Sequence, residues 1–265
     1  MHPVIFEFVR IRIYSYGLMV ALAFLITTFL VRRSIETVGI PKEKFDGFAL
    51  WLLVSGIIGA RLFYVILNIK DYMDSPLEIL MLNHGGLVFF GGLLSALIVG
   101  VWFLKRNKLP AWKLVDFIVP YAALGHSIGR MGCYLNGCCY GKPWGGKLGV
   151  IFPPDSLAGM AFPYEKIFPI QIFSSFLLLM LFLILSLIYK YKRFDGEVVA
   201  SYLILYSIAR FIIEFFRGDN PHVAFGLTVF QIIYLVIFFV AVPIYLWQLY
   251  QNLRLQSRVL TQGRD

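Results

Sequence analysis

Two arginines stand inside apolar segments of this chain. Arg130 belongs to the run Gly129-Arg130-Met131-Gly132-Cys133-Tyr134-Leu135-Asn136-Gly137-Cys138-Cys139-Tyr140-Gly141. Arg210 lies within the apolar stretch 202–216, four residues before Glu214. An Arg at bilayer depth costs roughly 2.5 kcal/mol or more, and is retained mainly where it faces a wet, functional cavity. Its guanidinium is always charged and presents a planar fork of donors that matches phosphate. The pair predicts an intramembrane site for an anionic group, and in a bilayer the nearest such group is a lipid phosphate. Tyr206, Arg210 and Glu214 share one helical stripe. An Arg–Glu pair there is either a structural ion pair or a means of fixing one of two forks that together hold a phosphodiester.

Other residues near these arginines carry possible chemistry. His126 stands one helical turn before Arg130, as a structural residue or as a proton carrier. The glycines at 125, 129, 132, 137 and 141 permit turns and close approach of a ligand. Cys133, Cys138 and Cys139 are the three cysteines of the chain. Structural zinc usually takes four ligands and short C-x-x-C spacings, so the sequence assigns no metal and no disulfide. Arg61 is a third charge in an apolar span, and is expected to snorkel or to pair with Glu214 or Asp116. The glycine pairs in His84-Gly85-Gly86 and Gly91-Gly92 predict close helix packing or a re-entrant turn. Tyr14 and Tyr16 suit a membrane interface.

Helices that bury such residues must themselves be apolar, and they are. Hydrophobic residues make up 59% of the 265 positions and the mean hydropathy is +0.77, outside the range of soluble domains. The expectation is all-α: one polytopic transmembrane catalytic domain over 1–265 without internal repeats. Seven spans are predicted, at about 14–31, 45–67, 87–104, 114–128, 169–189, 196–216 and 228–249, with an outer loop at about 129–168. The net charge of +9 then sets topology rather than binding nucleic acid. The connections after spans one, three and five, with the tail, hold fourteen of the Lys and Arg residues, Arg264 among them, against seven on the other face, Arg10 among them. The N-terminus is therefore expected outside and the C-terminus in the cytoplasm. No cleavable signal peptide is expected.

In its motifs the chain resembles bacterial prolipoprotein diacylglyceryl transferases. The resemblance rests on Tyr16-Gly17-Leu18-Met19, Gly59-Ala60-Arg61, the double Gly-Gly segment, Asp116-Phe117-Ile118 with Pro120, and Gly129-Arg130-Met131-Gly132. It continues through Asn136-Gly137, Tyr140-Gly141, Pro169 with Gln171, and the stretch from Tyr206 to Arg217. The resemblance implies a multi-pass protein of the bacterial inner membrane that needs no cofactor. It would move the diacylglyceryl group of phosphatidylglycerol to the lipobox cysteine thiol of a prolipoprotein, with release of glycerol-1-phosphate. It further implies that Arg130 binds phosphatidylglycerol and that Arg210 is a second essential arginine. Tyr16, Asn136, Gly141, Tyr206 and Glu214 correspond to pocket positions.

Two departures stand out. Phe90 occupies the place of a His found in many members, and a phenyl ring accepts no proton. Cys133 and Cys138 replace residues that are often Asn and Glu. His126 is the candidate replacement base, unless clustered cations alone lower the thiol pKa. Two alternatives remain at this stage: a lipid or small-anion transporter, and a silent paralogue that binds phosphatidylglycerol without transferring it.

Overall fold

The computed structural model describes residues 4–8, 11–73, 76–81 and 85–262, with side chains from 14 onward except 256 and 258–262. Arg10, His84 and Arg264 lie outside the described residues. In chain order a two-stranded hairpin, β1 (Val4–Phe8) and β2 (Ile11–Tyr14), leads into α1 (Ser15–Ser34). Then come α2 (Lys42–Leu67), the short α3 (Ile69–Tyr72), α4 (Phe89–Arg106), α5 (Ala111–Asn136) and the short α6 (Leu157–Ala161). The chain continues through α7 (Ile170–Lys190), α8 (Glu197–Glu214), a small hairpin of β3 (His222–Ala224) and β4 (Leu227–Thr228), and α9 (Val229–Gln262).

The protein is a helical membrane protein. Five helices, α1, α2, α4, α7 and α9, are long and apolar enough to cross a bilayer. Only 11–22% of the most apolar stretch of each is buried, so their apolar side chains are turned outward, as lipid-facing surfaces are. The two other long helices, α5 and α8, carry Asp116, Arg130, Glu197, Arg210 and Glu214. Those charges are what lowers their apolar character.

Most helix boundaries fall within a few residues of expectation, with two corrections. The connection expected to open at 129 begins only after Asn136, because α5 runs on through Arg130, Gly132 and Cys133. A helical Gly costs about 1 kcal/mol relative to Ala, and packing offsets that cost here. A Cβ on Gly132 would meet Met19 Cβ at 2.8 Å, so the glycine lets α1 and α5 approach closely. The last span, expected to end near 249, continues as α9 to Gln262. The two hairpins were not anticipated.

The chain forms two compact units, residues 1–31 with 115–265, and residues 32–114. In the second unit α2 and α4 pack through glycine. A Cβ on Gly59 would lie 2.7 Å from Gly91 O, and one on Gly92 would lie 2.8 Å from Gly56 O. Backbones this close suit helices that associate without a hydrophobic driving force. Arg61 is also here, and it neither snorkels nor pairs with Glu214 or Asp116. It is buried, and it donates to the carbonyls of Glu78, Ile79, Met81, Gly85 and Gly86 at 2.6–3.2 Å. The guanidinium thus ties the backbone of Glu78–Met81 to that of Gly85 and Gly86. Phe90 sits in the first turn of α4 and is exposed.

In the first unit the core joins α5, α7 and α8 through Ala123, Leu178, Leu181, Leu185 and Val198. Asp116 is fully buried and caps the start of α8. Its carboxylate accepts from Gly196 N at 2.8 Å, Val199 N at 3.1 Å and Lys192 Nζ at 3.0 Å. Negative charge is favoured at a helix N-terminus, which accounts for this partner set.

Candidate active site

The C-terminal half of α5 carries most of the residues that the sequence singles out. A reciprocal pair of bonds holds it to α7: Ser127 Oγ donates to Ser175 O and Ser175 Oγ to Ser127 O, both at 2.8 Å. One residue before that staple is His126, whose ring lies against Tyr206 of α8, centroids 5.6 Å apart. One turn after it is Arg130.

Arg130, Ser174, Leu178, Leu181, Tyr206 and Arg210 line one small, mostly apolar cavity. Both arginines therefore line one cavity, but they are not equivalent. Arg210 is buried, with Nη1 2.7 Å from Glu214 Oε2 one turn away. Glu214 is anchored in turn. Its Oε1 accepts from Thr228 Oγ1 at 3.0 Å and from the Asn220 amide. Arg210 also lies over the rings of Phe230 and Tyr234, at 5.6 and 5.9 Å. Tyr234 packs edge-on against Tyr206, with ring centroids 5.5 Å apart. Arg210 is thus neutralised and fixed. Arg130, by contrast, has no hydrogen-bond or ion-pair partner among the described residues. An unpaired guanidinium on a cavity wall is the feature that calls for an anion.

The connection that follows α5 is built around glycines. At Gly137 (φ +69) the chain turns out of the helix, and a Cβ there would collide with Ser156. Gly141 lies against other backbone: a Cβ would meet Phe168 O at 2.3 Å, and a bridge joins it to Arg217. Lys142 N donates to Phe216 O at 2.9 Å and Gly218 N to Tyr140 O at 3.1 Å. Gly141 therefore acts by admitting this close approach. Arg217 donates from Nε to Asp219 Oδ1 at 2.8 Å and from Nη2 to Oδ2 at 2.5 Å. Burial works against its charge, but those bonds and nearby Cys139 hold its pKa above the usual value.

The three cysteines come together where α5 ends and the connection begins. Their sulfurs all lie within 4.8 Å of one another, and all three are free thiols. Asn136 closes α5 two residues before Cys138, whose thiol donates to Cys133 O at 3.8 Å. Gln171, buried at the start of α7, donates to Cys138 O at 2.9 Å. Tyr16, 43% exposed in the first turn of α1, is within electrostatic range of the cysteines and of Arg130. All eight residues proposed from the sequence, Tyr16, His126, Arg130, Asn136, Gly141, Tyr206, Arg210 and Glu214, lie in the first unit. Tyr234, Thr228 and Asn220 were missed. Their only signal is a polar group in or beside the last apolar span.

Comparison with known proteins agrees with the motif reading. The family model described as prolipoprotein diacylglyceryl transferase matches residues 3–247. A phosphatidylglycerol-prolipoprotein diacylglyceryl transferase of Clostridium tetani is 36% identical over 220 residues, 83% of this chain and 86% of the relative. One of Clostridium perfringens, numbered 2, is 36% identical over 228 residues, 86% and 87% of the two chains. One of Campylobacter lari is 31% identical over 255 residues, 89% of each.

Proposed function

The chain belongs to the prolipoprotein diacylglyceryl transferase family, and from that premise we propose that it transfers the diacylglyceryl group of phosphatidylglycerol to the lipobox cysteine thiol of prolipoproteins. A thioether forms and glycerol-1-phosphate leaves. One observation carries the assignment of roles: Arg130, unpaired among the described residues, and Arg210, paired with a carboxylate, share one cavity. The reacting carbon is attached to a phosphate, so the barrier falls when charge building on that phosphate is met by fixed cations in a dry site. Arg130 binds the phosphodiester. Arg210, aligned by Glu214 and Tyr234, faces the same phosphate. Tyr206 and Tyr16 flank the headgroup, while Asn136 and Gly141 shape the turn beside it. His126 carries a proton from the acceptor thiol to the departing phosphate. The thiol is the substrate's own, so the chain needs no nucleophile.

The whole chain acts as one catalytic domain of the bacterial inner membrane, and the family match, which runs across both units, supports this. Counting α5 and α8 with the five apolar helices gives seven spans, and the excess of basic residues on one side puts the N-terminus outside. Phosphatidylglycerol and the precursor then meet at the outer leaflet. The transport alternative is not favoured, since the relatives named above are all transferases.

The test is direct. Purified protein is incubated with phosphatidylglycerol vesicles and a lipobox peptide, and the peptide is weighed by mass spectrometry. A diacylglyceryl adduct on the cysteine, with release of glycerol phosphate, is expected. No adduct, with a His-containing relative active in the same vesicles, overturns the assignment.

A further inference from the structure

We propose that Cys133, Cys138 and Cys139 bind a thiophilic divalent metal ion, zinc foremost, whose open fourth position takes the thiol of the acceptor peptide. The inference rests on the transferase reading and concerns how that thiol becomes a nucleophile.

Three observations carry it. The first is distance. Zinc–sulfur bonds of about 2.3 Å at tetrahedral angles set ligand sulfurs about 3.8 Å apart. Here all three sulfurs lie within 4.8 Å of one another, which small side-chain rotations close. The second is the backbone that brings them there. Adjacent side chains in extended chain point to opposite sides, so Cys138 and Cys139 would normally diverge. Cys139 instead has φ +55, a conformation disfavoured for any residue but glycine. That turn aims two adjacent thiols at one point, and Cys133 reaches it from the last turns of α5. Strain of this kind gathers at functional sites. The Cys138 N–H also donates to Cys133 O at 3.1 Å, which holds the two sides of the cluster together. The third is incompleteness. Among the described residues no fourth Cys, His, Asp or Glu joins the group. Three protein ligands and one open position is the arrangement of catalytic rather than structural zinc.

Charge and location fit. Three thiolates on a divalent ion carry a net charge of −1. Arg130 and Arg217 are both within electrostatic range of Cys139, so that charge has counterions. Tyr16 is within the same range. The ion would therefore stand beside the proposed phosphate site. A thiol that coordinates such an ion is deprotonated outright, which supplies what Phe90 cannot. The step balances. The peptide thiol loses its proton on binding the metal, and its sulfur lone pair forms the new C–S bond. The C–O bond to phosphate breaks with its electrons going to oxygen, and the proton ends on glycerol phosphate by way of His126. The neutral thioether is a poor ligand and leaves.

The experiment uses the full chain in detergent, stripped with chelator under reducing conditions and titrated anaerobically with cobalt(II) chloride. One cobalt per chain is expected, with thiolate-to-cobalt charge-transfer absorption. Zinc chloride should displace it, and Cys133→Ser, Cys138→Ser or Cys139→Ser should abolish it while thermal unfolding shows the variant folded. A lipobox peptide should change the spectrum and its Cys→Ser counterpart should not, a readout that needs no variant of the enzyme. Metal removal should lower turnover about 10²-fold, in the range of lost acid–base help, and zinc should restore it. Failure to bind cobalt or zinc, whether the three thiols titrate freely or are found oxidised, overturns the proposal. A cobalt spectrum indifferent to the peptide overturns it too. If metal-free protein transfers at full rate, this inference fails and the transferase stands. If the peptide-responsive metal site forms but no adduct ever appears, the transferase reading fails instead.

Discussion

Arg61 and Arg130 are both arginines in largely apolar helices, and the protein uses them in opposite ways. Arg61 gives its donors to five backbone carbonyls of a single loop. Arg130 faces a cavity with no acceptor for its fork among the described residues. The same costly side chain is a structural clamp in one unit and the proposed socket for an anion in the other. What separates the two roles is whether the protein has already satisfied the guanidinium. A satisfied one has no valence left for substrate, whereas an unsatisfied one is tolerable only if something else completes it.

Substituting the two arginines should therefore give opposite phenotypes, and this is the largest effect expected. Arg130→Ala should cut transfer by about 10²–10³-fold, the usual cost of one lost transition-state donor, with thermal unfolding unchanged. Arg130→Lys should also be severely impaired, because Lys keeps the charge but lacks the fork. Arg61→Ala should remove the bonds that tie its five carbonyls together, at about 1.5–3 kcal/mol for a hydrogen bond to a charged group, and so lower the unfolding temperature and the yield of inserted protein. Parallel assays of turnover and unfolding on both variants decide the matter. Full activity in Arg130→Ala, or an Arg61→Ala protein as stable as the parent, erases the distinction.

That distinction was only half legible in the sequence. The helices were readable because lipid demands long apolar runs, and their ends because Arg32-Arg33 and Lys105-Arg106 stop them. Arg130 and Arg210 were readable because charge is rare at such depth. Arg61 showed the same rarity, and its partners were not found, since they are backbone carbonyls, which every residue has and no motif marks. α5 also overran its expected end, because Gly129 and Gly132 look like breakers until α1 is seen packed on Gly132. The cysteine cluster depends on the left-handed turn at Cys139, for which sequence gives no warning when the residue is not Gly or Asn.

Between the clamp and the socket lies Arg210, neutralised by Glu214 and still on the cavity. If it is a fixed catalytic charge, stability and activity should separate. Glu214→Leu alone strands a buried guanidinium, with a loss of about 3–5 kcal/mol. The double variant Arg210→Met with Glu214→Leu should recover most of that stability in thermal unfolding, since replacing a buried pair by apolar groups is often neutral. Transfer by the double variant should stay near zero in the peptide assay. Recovered activity would make the pair purely structural and Arg210 a second Arg61.

The glycines repeat the contrast on a smaller scale. Gly129 has open space where a Cβ would be, while Gly132, three residues on, has Met19. Gly129→Ala should therefore stabilise α5 by up to about 1 kcal/mol through helix propensity, with transfer intact. Gly132→Ala should push α1 from α5 and lower both stability and turnover. Equal behaviour of the two variants would mean that the α1–α5 approach does not support the site.

The smallest effect concerns Asp116, which resembles Arg61 in being fully occupied: two backbone N–H groups and Lys192 take its oxygens. Asp116→Asn keeps an acceptor for the start of α8 but loses the charge, so about 1 kcal/mol of stability should go, with transfer unchanged. The pH dependence identifies the partner. Burial lowers the pKa of Lys192, but its hydrogen bonds to Asp195 and Asp116 outweigh that and leave it raised. A raised folded pKa contributes stability in full below the ordinary lysine value, near 10.4, and the contribution fades as pH climbs through the folded value. The parent should therefore lose unfolding temperature between neutral and strongly alkaline pH more steeply than Asp116→Asn. Parallel curves would show that Asp116 serves α8 as a cap alone and that its pairing with Lys192 contributes nothing.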